Sequence, residues 1–393
     1  MGVPGRLVNT WWKVAILSCC AVIGANLAIQ ALWQVPCDWR RFAGPLLPLV
    51  YVLAALRAGL PLNRRSGDTR VLDHLGAANA ITMARGVLVS LLACFWSWPA
   101  AMAFSIHHLY AWLPGLIYIA AALLDLLDGA VARRSGHVTR LGERLDTRFD
   151  ALGLLCAVLV GIGLNQLPLI YLAVALAYYV FTAGMVLRRR SGRRLAPLTP
   201  RPAARLSAGF TMGFVGAALL PLFGPPATTL AAAVFMVPFL AGFVRDWLVV
   251  SGRIEPGTEQ PARWEELWQR LFRDGLPVAL RAVLFVCALA AMEKTAAFSS
   301  GDTAGPFYAF APFFRPVFLL AVVCAALGAA GRTAALPILL SSGLWISRRG
   351  ADPLTGLLLM TAAGLLVAGS GNLSLWRPEE KFLGMSSRSS SSL

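Results

Sequence analysis

Residues 125–150 read DLLDGAVARRSGHVTRLGERLDTRFD and hold four of the eleven aspartates of a 393-residue chain. Asp125 and Asp128 stand at i and i+3, Asp146 and Asp150 at i and i+4. Either spacing puts both carboxylates on one face of a helix. Apolar runs flank the stretch on both sides, so it predicts two membrane helices joined by a short polar turn near 135–142. Both acidic pairs then face each other at one end of the hairpin. Ionisable groups at helix ends in lipid are costly, and four together mark a site. Four converging hard oxygen donors suit Mg²⁺ or Mn²⁺. Gly129, Ala132 and Gly142 leave room on the seam for a ligand's phosphates or a facing helix.

The rest of the chain fits that setting. It is 58% hydrophobic and only 14% charged, against about 25% charged residues in a soluble domain. So little charge cannot cover a globule, and low-complexity disorder is excluded for the same reason. The charge is lopsided: Lys+Arg 35 against Asp+Glu 19, a formal +16, with only Lys13, Lys294 and Lys381 as lysines. Arginine binds phosphate and carboxylate with a planar fork, although base composition produces the same bias. The seven cysteines are scattered, mostly in apolar stretches, without metal or disulfide-framework spacing, and read as small buried hydrophobes. The run from Trp11 to Trp33 is long enough to span and lacks a cleavage site, so it reads as a membrane helix, not a secretory signal.

Twelve spanning helices are expected, near 11–33, 43–61, 80–105, 112–133, 144–165, 167–187, 206–223, 226–250, 276–294, 314–331, 333–347 and 353–370. Basic loops at 62–79, 133–148, 188–205 and 252–275 alternate with neutral ones between the third and eighth helices, which places the basic side in the cytoplasm. Arg40, Arg41, Arg348 and Arg349 fall on the wrong side of that scheme. The loop 188–205, with Arg188, Arg189, Arg190, Arg193, Arg194, Arg201 and Arg205, serves topology and anionic headgroups or a polyanionic substrate. RWEELWQRLF at 263–272 has the pattern of an interfacial amphipathic helix, and the Ser-rich tail from Ser386 reads as disordered. His137, in the polar turn, reads as a solvated histidine.

The quoted stretch fits D-x-x-D-G-x-x-A-R-x(8)-G-x-x-x-D-x-x-x-D without a mismatch, a pattern met by chance with probability on the order of 10⁻⁹ per start site. It resembles the signature of the CDP-alcohol phosphotransferase (phosphatidyltransferase) family. The resemblance implies an all-α integral membrane enzyme with a six-helix core, which moves a substituted phosphate from a CDP-linked donor to an alcohol hydroxyl and releases CMP. By this resemblance Asp125, Asp128 and Asp146 hold the Mg²⁺ or Mn²⁺. Asp150 is the catalytic base toward the acceptor hydroxyl and also reaches metal. Gly129, Ala132, Arg133 and Gly142 match nucleotide-binding positions. NAITMAR at 79–85 looks like the family's N-x-x-T-x-x-R run, which adds Asn79, Thr82 and Arg85 on one helix face to the nucleotide and phosphate contacts. Arg201 and Arg205 lie where relatives that accept phosphorylated polyols keep basic residues, and stand as acceptor-binding candidates.

The implied organisation is a two-helix extension (1–69), the core (70–253), an interfacial linker (254–275), a four-helix module (276–381) and a disordered tail (382–393). The module is similar to the DoxX-like family, chiefly in the Arg281 to Lys294 helix and the Gly-x-x-x-Arg turn at Gly328 and Arg332. The expected reaction passes a phosphatidyl-type group from a lipid donor such as CDP-diacylglycerol to a small polar alcohol or polyol phosphate, in a bacterial inner membrane with the site facing the cytoplasm. Membrane lipids are expected partners, nucleic acid is not, and a homodimer stays open. Two alternatives stand beside it: a CDP-alcohol donor with diacylglycerol as acceptor, and an ion-coupled carrier, whose carboxylates would lie near mid-membrane on broken helices.

Overall fold

The computed structural model describes residues 4–33, 39–65, 68, 70–100, 108–135, 138–198, 201–254, 275–291, 311–371 and 373–376. The amphipathic segment expected over 263–272, the tail from Ser386 and His137 lie outside the described residues. Among those described, the regular structure is helical: α1 (Gly5–Leu32), α2 (Trp39–Gly59), α3 (Ala77–Leu92), α4 (Leu109–Arg134), α5 (Arg140–Gly163), α6 (Leu172–Arg190), α7 (Pro202–Ala218), α8 (Ala227–Val250), α9 (Leu276–Ala290), α10 (Ala311–Leu327), α11 (Gly331–Arg349) and α12 (Pro353–Ala368). Each falls on one of the twelve expected spans. Six helical stretches are long and apolar enough to cross a membrane: Gly5–Leu32, Trp39–Leu62, Ala77–Ser97, Leu109–Arg134, Leu169–Arg190 and Ala227–Val250. Large apolar side chains such as Leu17, Leu126 and Val180 stand exposed on them, a surface that suits lipid and not water. The protein is an integral membrane protein.

The largest departure from the expected spans is the third. It was expected to reach residue 105, but α3 stops at Leu92 and tightens into a 3₁₀ turn over Ala93–Ser97. Trp98 is then extended (φ −77°, ψ 149°), because the ring of Pro99 disfavours helical geometry in the residue before it. The hairpin turn is also shorter than 135–142: α4 runs to Arg134 and α5 starts at Arg140.

The chain divides into two compact units, Met1–Leu176 with Val215–Pro221, and Ala177–Phe214 with Leu222–Leu393. In the first, α3 packs against α4, α5 and α2, and α2 also packs on α1, α5 and the 93–97 turn. Leu56, Leu60, Leu92, Phe95, Leu141, Leu145, Phe149 and Tyr171 fill its interior. Arg57, in the last turn of α2, lies over the Trp11 ring. Arg41 is buried and lies over the Trp98 ring, and its carbonyl accepts a bond from Asn26. It is therefore part of the packing and not a loop charge.

In the second unit α12 packs against α11, α9 and α8. The core is built of small and branched residues, among them Ala334, Ala335, Ile338, Leu358, Leu359, Ala362 and Ala363, the composition that lets membrane helices approach closely. Arg281 on α9 donates to the carbonyls of Ala326 and Ser370. Arg332 on α11, 5% exposed, donates to those of Leu366 and Val367. Both guanidiniums thus close helix C-termini, where free carbonyls favour a cation. The six described cysteines are free.

Candidate active site

The site lies in the first unit, at the end where α4 finishes and α5 begins. Thr139 makes the start of α5 definite. It is extended (φ −116°, ψ 148°), and its hydroxyl accepts the Gly142 N–H at 3.1 Å, an N-cap that satisfies one of the orphan donors of the first turn. Gly142, Asp146 and Asp150 then repeat every four residues along one stripe of α5. On α4 the corresponding stripe is Asp125, Asp128, Gly129 and Ala132, next to the carbonyl end of the helix, whose partial negative charge favours a cation.

Asp125, Asp128 and Asp146 each turn one carboxylate oxygen into a group lying within 4.8 Å of one another. Asp128 is 7% exposed, and its Oδ2 accepts from Thr82 Oγ1 at 2.7 Å. Asp125, Asp146 and Asp150 are open to solvent on one side (34%, 46% and 36% exposed). Between them lies the guanidinium of Arg85, itself 3% exposed. Its Nη1 pairs with Asp125. Its Nη2 donates to Asp146 Oδ1 and to the Asp146 carbonyl, both at 3.0 Å, and lies 3.5 Å from Asp150 Oδ1. Four carboxylates against one guanidinium leave a formal charge of −3, partly desolvated and lined with oxygen. That donor set fits a divalent hard cation.

Of the residues matched to nucleotide or phosphate contacts, Thr82 and Arg85 are thus bonded to the carboxylates themselves. Asn79, 4% exposed, donates to the side-chain carbonyl of Asn63 at 3.4 Å. A Cβ placed on Gly142 would come within 3.0 Å of Asn79 Oδ1, so the first turns of α3 and α5 approach closely at residue 142. Arg133 is exposed in the last turn of α4 and makes no hydrogen bond or ion pair among the described residues. Its Nη1 lies back over Gly129, 3.1 Å from where a Cβ would stand. Ala132 is half-buried beside it.

Arg201 and Arg205 belong to the second unit. Arg201, immediately before α7, pairs with Asp246 of α8. Arg205 is exposed and unpaired among the described residues. In the same unit Arg188 ties the end of α6 to the end of α8 through the Ser251 carbonyl at 2.8 Å.

Sequence reasoning missed Asn63 and Thr139. A threonine ahead of an apolar-periodic run is a readable cap signal, whereas Asn63, in a basic loop, offers no local sign of its role. Residues 75–251 match the family model for CDP-alcohol phosphatidyltransferase. No curated protein and no solved structure matches the chain.

Proposed function

We propose that the chain, whose residues 75–251 match the CDP-alcohol phosphatidyltransferase family model, transfers a phosphatidyl-type group from CDP-diacylglycerol or a similar lipid to a small polar alcohol or polyol phosphate. The observation that carries this reading is the convergence of Asp125, Asp128 and Asp146 within 4.8 Å at the open end of apolar helices. There, a lipid's nucleotide headgroup meets water-soluble acceptors. Mg²⁺ or Mn²⁺ would be held by these three carboxylates with Asp150. Bound there, it neutralises pyrophosphate charge and stabilises the leaving CMP.

The chain's own groups divide the remaining work. Asp150 takes the proton from the acceptor hydroxyl as that oxygen forms its bond to the lipid-side phosphorus. The bond from this phosphorus to the bridging oxygen breaks, and that oxygen leaves with CMP. Thr82 holds Asp128 in one rotamer, and Arg85 keeps Asp146 and Asp150 oriented while neutralising part of their mutual repulsion. Arg133, exposed and without an ion pair among the described residues, is available to phosphate oxygens beside Gly129, Ala132 and Gly142. Arg205 serves the acceptor's phosphate. The excess of arginine in the flanking loops supports the reading that this end of the helices faces the cytoplasm, in a bacterial inner membrane.

The test is CMP release from CDP-diacylglycerol by purified protein. Release should require divalent metal, and Asp150→Asn should abolish it while cytidine nucleotide still binds. A fully active Asp150→Asn would remove the base assignment. Lipid mass spectrometry of a host expressing the wild type or Asp128→Ala identifies the acceptor from any new headgroup. CMP release only from a water-soluble CDP-alcohol, with diacylglycerol consumed, would reverse the donor and acceptor roles. A solute flux that depends on the aspartates, with no lipid changed, would sink the enzyme reading.

A further inference from the structure

We infer that Asn63, twelve residues before the family-matched segment begins, is a positioning residue of the carboxylate site and that the N-terminal helices are built into that site through it. The side chain of Asn63 is 0% exposed and makes three hydrogen bonds. Its amide donates to the carbonyls of Leu72 at 3.1 Å and His74 at 2.9 Å. Its carbonyl accepts from Asn79. The main chain adds to this: the Asn63 carbonyl accepts the Leu72 N–H at 2.7 Å, and the next carbonyl, of Arg64, accepts the Arg140 N–H at 3.0 Å. Arg65 and Thr139 form a short antiparallel bridge.

Three segments are therefore pinned at one point: the end of α2, the chain entering α3, and the first turn of α5. The consequence reaches the carboxylates along two helices. On α3, Asn79 shares a face with Thr82 and Arg85, at steps of three residues. On α5, Thr139 and Arg140 set the rotation of the stripe that carries Asp146 and Asp150. Losing the Asn63 amide takes its two donors from the Leu72 and His74 carbonyls and frees the start of α3 against Gly142. The groups that would shift are the Thr82 bond to Asp128 and the Arg85 contacts to the other three carboxylates. Leucine would fill the space but donate nothing. Aspartate would repel the same carbonyls. Asparagine alone matches two acceptors and one donor at this length.

The inference rests on the proposed metal site, and its test separates the two. Mn²⁺ binding to the full-length protein in detergent is followed by the loss of the free-ion EPR signal, without substrates. Asn63→Ala should weaken Mn²⁺ binding at least tenfold. Asn26→Ala is the control: Asn26 is equally buried in the N-terminal helices (1% exposed) and donates to the Arg41 carbonyl at 3.1 Å, with no link to the site. It should lower the melting temperature but leave Mn²⁺ affinity within twofold. Should Asn63→Ala fail to fold, Asn79→Ala cuts the same link from the α3 side and carries the same expectation. Unchanged affinity in the Asn63 or Asn79 variant overturns the positioning role, as does an equal loss in Asn26→Ala. A wild type that binds no Mn²⁺ overturns the metal site itself.

Discussion

Two regions of this protein hold arginine side chains between helices and deal with the charge in opposite ways. At the α3–α4–α5 end, Arg85 lies among four carboxylates and leaves them with a formal excess of three negative charges. In the C-terminal helices, Arg281 and Arg332 bond to backbone carbonyls at the ends of α10 and α12, which offer only partial charge. The first arrangement keeps an unmet demand for cation and stays open to solvent. The second closes helix ends and asks for nothing further. A buried arginine marks chemistry only where its partners outnumber it in charge.

The difference can be broken experimentally, beginning with the largest effect. Arg85→Ala strips a buried cation from its carboxylates, a change worth about 3–5 kcal/mol, so metal-free protein in detergent should melt well below wild type. Millimolar Mg²⁺ should recover part of that loss, because a divalent cation replaces the missing positive charge; a melting point indifferent to Mg²⁺ would refute the charge argument. Arg332→Ala leaves carbonyls without donors, at about 1–3 kcal/mol. Its melting temperature should fall without Mg²⁺ recovery, and CMP release per folded molecule should stay at the wild-type level. Thr82→Val removes the 2.7 Å bond to Asp128 while keeping the shape. Roughly 1 kcal/mol is expected as a several-fold rise in the Mg²⁺ concentration giving half-maximal CMP release. Arg205→Ala is the smallest, on the scale of one exposed charge at below about 1 kcal/mol. It should raise the acceptor KM a few-fold with kcat unchanged, and an unchanged KM would take Arg205 out of the acceptor site.

How much of this was legible in the sequence follows from the range of the interactions involved. The six long apolar helices were readable because a bilayer demands about 20 consecutive apolar residues from a crossing segment, a purely local requirement. The end of α3 was misplaced because the apolar run continues past Leu92, while Pro99 dictates the backbone of Trp98. The carboxylates were readable because their spacing along two neighbouring helices is itself the pattern. The helix face of Arg85 was evident, but its carboxylate partners, 40 and 61 residues away at Asp125 and Asp146, were not. Asn63 was invisible for the same reason: its role lies in two carbonyls and one amide brought together only by packing.

The connection between α4 and α5 has a further consequence. Only residues 135–139 separate the two helices, and the start of the second is fixed in rotation: Thr139 caps it and the 64–65 backbone holds its first turn. That anchor acts as an angular gauge. A residue added or removed between Thr139 and Asp146 would turn the α5 stripe by about 100° relative to it, swinging Asp146 and Asp150 out of reach of Asp125 and Asp128. The six residues from Arg140 to Leu145 are, in this sense, a setting of phase, and the chain has as little freedom to vary their number as to vary the aspartates.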